Sequence, residues 1–168
     1  MQAFLRALPL VLLLLIAGFY LGGRALPEDY RIESEIEVEA RPAEVFRHLS
    51  DAQGWTRWFT GPEGDVRVES EERLVLAVEG VEHVLELTET SSPARVRYRH
   101  FNEGPGALEP IIGEITVEPR EAGSTVRIRE DVSVSSGTQR WLVYLFGQDL
   151  MSQVLDRELH NLKALVDD

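Results

Sequence analysis

The chain has 168 residues, no cysteine, and 17 basic against 29 acidic side chains, a net charge of −12. That length suits one domain with a real core once any targeting segment is set aside. The missing cysteine excludes disulfides, thiolate metal sites and cysteine nucleophiles. The acidic excess repels phosphate backbones, which excludes nucleic-acid binding.

The first 25 residues read MQAFLRALPLVLLLLIAGFYLGGRA, uncharged from Ala7 to Gly23. At about 1.5 Å per residue this stretch reaches about 25 Å, the short end of a membrane span. One expectation is an uncleaved anchor holding the protein to a membrane through Ala7–Gly23. The other is a signal peptide cut near the small-x-small sequence Gly23-Arg24-Ala25. Arg6 and Arg24 flank the stretch evenly and orient it only weakly. Both expectations put the protein at or beyond a membrane, anchored with its domain on the exported side or secreted after cleavage. The expected organisation is an anchor or signal segment, 1–25, followed by one domain, 26–168.

After the linker Pro27-Glu28-Asp29, the residues Tyr30, Ile32, Ile36 and Val38 alternate with charged ones, the pattern of a half-buried strand with an acidic outer face. Arg41-Pro42 ends it, because proline removes a ladder donor and suits a first helical turn. Ala43, Val45, Phe46 and Leu49 give a short helix its apolar side, and Ser50-Asp51 caps a second one. Trp55, Trp58 and Phe59 follow at once, three large aromatics in five residues.

A run of antiparallel strands comes next. Val66 and Val68 mark one, Leu74, Leu76 and Val78 another, with Glu79-Gly80 as a two-residue hairpin turn. Val81, His83, Leu85 and Leu87 continue the same face. Val96, Tyr98 and His100 form one face of the next strand, with Arg95, Arg97 and Arg99 opposite, placed to pair with Glu82 and Glu86. Asn102 to Gly106 reads as a loop, Ile111 to Val117 as a strand, and Val126 to Val134 as the last strand. Thr138 to Val166 reads as one long helix whose apolar spacing has a gap near Gln148. The order is one strand, two short helices, about six strands and a long helix. This is an α+β arrangement in which a curved antiparallel sheet of about seven strands must cover its apolar face with that helix.

The stretch IEVEARPAEVFRHLSDAQGWTRWF and the closing LHNLKALVD resemble the START-like superfamily (SRPBCC), which includes polyketide cyclases, lipid-transfer domains and the birch-pollen allergen. The resemblance covers about residues 30–168. It implies a helix-grip fold enclosing an elongated cavity, and a sterol, phospholipid, quinone, hormone or polyketide as ligand. A few members of such families catalyse cyclisation or related chemistry, and others assist heat-shock chaperones. Trp55, Trp58 and Phe59 would then sit at one end of the cavity, as a core plug, as ligand contacts, or as both.

Strand parity places His83, Tyr98, His100 and Glu130 on the inner face. A connection centred on Ser91-Ser92 sets His83 opposite His100, and one centred on Ser92-Pro93 makes them diagonal. A turn at Arg120 to Gly123 sets Gly113 opposite Glu130 and leaves room for its carboxylate. These groups read as paired core polar residues, as handles for a ligand headgroup, or as a general base tuned by Glu130. The catalytic candidates are therefore His83, His100 and Glu130. A metal would need a third close ligand, and no His-x-x-x-His spacing is present, so neither metal nor cofactor is called for.

There is no nucleophile elbow, P-loop or dinucleotide fingerprint. Gly104-Pro105-Gly106 suits a lid at the cavity mouth. The segment Trp141 to Phe146 is apolar all round, enough to line the cavity on one side and meet a bilayer, a partner or the Asn102–Pro110 loop on the other. The expected ligand contacts are Trp55, Trp58, Phe59, Leu85, Tyr98, Trp141, Leu145 and Met151. The leading expectation is a membrane-tethered binding domain for a lipophilic small molecule. The alternatives are a cyclase or dehydratase using His83 or His100, and an acidic module that binds a basic protein partner.

Overall fold

The computed structural model describes residues 2–59, 65–78, 80–103 and 109–167. Helix α1 (Gln2–Ala25) leads into β1 (Asp29–Val38), two short helices, α2 (Pro42–Phe46) and α3 (Ala52–Trp55), and then β2 (Asp65–Ser70) and β3 (Arg73–Val78). Strands β4 (Val81–Ser91), β5 (Arg95–Glu103), β6 (Ile111–Arg120) and β7 (Gly123–Ser133) follow. The chain closes on α4 (Gly137–Leu142), a π-helical segment (Val143–Gly147) and α5 (Gln148–Val166). The seven strands form one sheet in the order β1-β7-β6-β5-β4-β3-β2, every described pairing antiparallel. This is the α+β helix-grip architecture, with α5 lying across β1 and β7.

Local chemistry sets the breaks between elements. Pro42 opens α2, where its missing N–H is no loss, and Glu44 accepts from the Arg41 backbone N–H at 3.0 Å. Asp51 caps α3 by accepting from Gly54 N at 2.7 Å. Along β1 and β7 the buried positions alternate, and Tyr30, Ile32, Val126 and Ile128 reach the core from the inner face. Leu155, Leu159 and Leu162 meet them from α5. Val45 and Phe46 are buried in α2, whereas Ala43 points outward, so that helix presents a narrower stripe than its sequence implies.

Two features depart from the sequence reading. Asn102 and Glu103 belong to β5 rather than to a loop, because they pair with His83 and Glu82. The long helix contains a π turn at Val143–Gly147. The extra residue it holds is the gap seen near Gln148. Glu79 of the expected hairpin turn and the Gly104–Gly106 lid lie outside the described residues.

The membrane anchor is a further correction. Among the described residues, no helix is long and apolar enough to cross a membrane. The C-terminal end of α1 instead packs on the domain. Phe19 stacks on Trp141 with ring centroids 5.8 Å apart, and the Trp141 indole donates to Phe19 O at 2.8 Å. Gly23 passes so close to α4 that a Cβ there would lie 2.2 Å from Gly137 O. Arg140, only 6% exposed, fastens the junction by donating to Arg24 O and Leu26 O at 3.3 Å each and pairing with Glu28. With Phe19–Gly23 held in this way, the stretch before them spans about 18 Å, well short of a bilayer core of about 30 Å. The expected membrane-anchored location is overturned with that anchor.

Candidate functional site

The sheet and the last helix enclose a cavity with two compartments that share His100, Ile111 and Met151. The outer compartment, about 450 Å³, lies between the ends of β5, β6 and β7 and the α4–π segment, and Val132, Val134, Leu142 and Val143 line it. The inner one, about 330 Å³, is bounded by Phe59, Leu76, Val154 and Leu155. It also holds a cluster of polar groups: His83, His100, Glu130, Arg157 and Glu158.

Each polar group arrives on a different element. β4 brings His83 and β5 brings His100. Because Leu85, not His83, is the register partner of His100, the two imidazoles lie diagonally with centroids 5.9 Å apart. β7 brings Glu130 opposite Gly113. The space that Gly113 leaves is taken by the Tyr98 ring, since a Cβ there would stand 2.0 Å from Tyr98 Cζ. From that position the Tyr98 hydroxyl donates to Glu130 Oε1 at 2.7 Å. α5 brings Glu158, which is 2% exposed and forms no hydrogen bond or ion pair among the described residues.

Burial sets the charges here. It pushes the Glu158 carboxyl up to about 8, helped by the neighbouring Glu130 and opposed by Arg157. Burial also raises Glu130, against the lowering effect of the Tyr98 hydrogen bond. His100 falls to about 4, through burial and then the repulsion of His83, so its imidazole is neutral at pH 7. Tyr98 is raised well above its ordinary value by burial and by Glu130, so it stays a donor.

The family model described as polyketide cyclase / dehydrase and lipid transport matches residues 29–167. The chain belongs to this family. Solved structures repeat the fold. A Thermus thermophilus protein is 20% identical with a TM-score of 0.64, covering 82% of this chain and 97% of its own. A Rhizobium leguminosarum protein is 17% identical with a TM-score of 0.62, covering 83% and 95%. The Aha1 dimer from Colwellia psychrerythraea is 16% identical with a TM-score of 0.57, covering 82% and 96%. No curated protein matches the chain.

Within this polyketide cyclase / dehydrase domain, the sequence candidates fall into three groups. Phe59, His83, His100, Glu130 and Met151 face the inner compartment. Trp55, Trp58, Leu85 and Tyr98 are core residues behind its wall, each at most 1% exposed. The Trp55 indole donates to Leu49 O at 2.8 Å and that of Trp58 to His48 O at 3.0 Å. Trp55 also meets Tyr98 edge-on at 5.0 Å. The aromatic cluster is thus a buttress for Tyr98, and only Phe59 reaches the cavity from it.

Trp141 and Leu145 lie elsewhere. Trp141 packs on α1, and Leu145 is 53% exposed. The π turn rotates α4 so that Leu142 and Val143 face the cavity in their place. Sequence reasoning missed Glu158, Arg157, Leu76, Ile111 and Val154. For Glu158 a signal was present, because it stands inside the stripe Leu155, Leu159, Leu162 at helical spacing. A glutamate among core positions of a helix is a buried carboxyl.

Proposed function

We propose that this chain is a binding domain for a lipophilic small molecule, such as a lipid, a quinone or a polyketide-like compound. The ligand lies between the sheet and the last helix, with its polar end toward His83, His100, Glu130 and Glu158. One observation carries the reading: the two joined compartments, of a size typical for small-molecule sites, are walled by apolar side chains and closed at one end by a few converging polar groups. The description of the family, which includes lipid transport, supports it. Phe59, Ile111 and Met151 make the central apolar contacts, and residues 26–168 form the binding unit.

Native mass spectrometry of the chain purified without detergent, followed by organic extraction, tests this. An apolar compound bound at about one per chain is the expected result. A bare protein mass that persists after incubation with lipid extracts overturns it.

A second reading, chemistry of the cyclase or dehydratase type at His83 or His100, draws on the neutral state of the His100 imidazole, which leaves a ring nitrogen able to accept a proton. Replacing both histidines by asparagine then abolishes turnover while the affinity for apolar ligand is largely kept. The acidic-module reading gains less, because the outward glutamates are interleaved with arginines. Glu35 pairs with Arg127 at 2.9 Å and Glu114 with Arg97 at 2.8 Å.

A further inference from the structure

Glu158 presents an unusual combination: a carboxyl 2% exposed, at the wall of a cavity, with no hydrogen bond or ion pair to any described residue. Folding has buried it with no hydrogen-bond partner among the described residues and only the attraction of Arg157 in its favour. Glu130 lines the same compartment and has one hydrogen-bond partner among the described residues, the Tyr98 hydroxyl, which occupies one of its two oxygens. Glu130 stands close enough to raise the proton affinity of Glu158. The other polar groups of the compartment do not satisfy them. His100 is uncharged at neutral pH, His83 contacts His100, and Arg157 is exposed and forms no ion pair among the described residues.

We infer that the ligand's polar end is a protonated amine, so that the site takes lipophilic amines, seated by Glu158 and Glu130 with the apolar body running toward Met151. This rests on the proposed binding of a lipophilic molecule in the same cavity. An ammonium donates in up to three directions, matching one oxygen of Glu130 and both of Glu158. Its charge lets both carboxylates ionise together, which they resist when the cavity lacks a cation. The neutral His100 imidazole adds an acceptor nitrogen and no opposing charge. A ligand carboxylate would instead need Arg157 and would hold both carboxyls in their protonated form.

Displacement of the neutral fluorophore N-phenyl-1-naphthylamine from the full chain tests this, with octylamine, octanol and octanoate as matched competitors. Octylamine is expected to compete at least about tenfold better than octanol. Glu158→Gln and Glu130→Gln, each checked for an unchanged circular dichroism spectrum, should erase most of that preference. Calorimetry at pH 7 in buffers of differing ionisation enthalpy should show about one proton leaving the protein as the amine binds. Equal competition by amine and alcohol, tighter binding of octanoate, or a preference unchanged in both glutamine variants overturns the inference and leaves the lipophilic cavity standing. Failure of the fluorophore and all three competitors to bind overturns both.

Discussion

The two faces of this sheet carry the same kinds of charged residue and treat them in opposite ways. On the outer face, glutamates and arginines alternate with core positions and find each other across strands. Glu114 is held by Arg97 at 2.8 Å and Arg129 at 3.4 Å, and Glu89 by Arg95 at 2.6 Å. Glu86 pairs with Arg99 at 3.5 Å. These pairs stand mostly in water, where a salt bridge contributes little to stability. Against the inner face, Glu130 of β7 and Glu158 of α5 are buried, and one phenol is the only hydrogen-bond donor to them among the described residues. The outer pairs follow from the pleat, whereas the inner carboxyls are a standing cost, which a fold retains where a partner from outside offsets it.

Five substitutions test that contrast, beginning with the most damaging. Gly113→Ala pushes a methyl into the Tyr98 ring and separates Tyr98 from Glu130. It should cost about 3 kcal/mol in urea unfolding, and a loss under about 0.5 kcal/mol would mean the inner wall is soft. Glu158→Gln should do the reverse and stabilise the protein, by about 2 kcal/mol at pH 8. The folded pKa of Glu158, about 8, lies above its ordinary value of 4.5. The folded chain therefore binds more protons across that window, and wild-type stability falls as pH rises from about 4.5 to about 8. The advantage of the glutamine variant should grow over the same interval in thermal melts, and parallel curves would show that Glu158 is not a buried acid. His100 has the opposite sign. Its pKa drops from 6.5 to about 4, so it costs stability as pH falls through that range, a slope that His100→Asn removes.

Tyr98→Phe removes the one donor to Glu130 and should cost about 1.5 kcal/mol. The same measurement on Glu114→Gln should give less than about 1 kcal/mol, and less still in high salt. Were the outer substitution to cost more than the inner one, the contrast between the faces would be wrong.

How far the sequence exposed this arrangement depends on how local each signal is. The strands and their inner faces were legible because a period of two survives in β1, β4, β5 and β7. Even the diagonal placement of His83 and His100 followed from one of the two turns considered. The arginine ladder of β5 was legible too, with its Arg99–Glu86 pair, but not its remaining partners. Register slips between Leu87 and Glu89, which brings Glu89 to Arg95 and Arg97 and leaves Glu82 to Arg67. The role of Gly113 was half seen, since the room it leaves is filled by Tyr98 before Glu130. Glu158 was hidden among the acids of a helix that looked merely amphipathic. The fate of Phe19–Gly23 was hidden because an apolar helix reads alike whether it meets lipid or Trp141.

The π turn at Val143–Gly147 sets the phase between the two halves of the last helix, and it does so with a single surplus residue. A regular helix advances about 100° per residue. A one-codon deletion within this turn would therefore keep the helix intact yet swing everything before it by roughly a quarter of a revolution. Leu142 and Val143 would leave the cavity, and Trp141 would part from Phe19. Reading frames that gain or lose one residue at this point thus produce relatives with the same fold and a differently walled chamber.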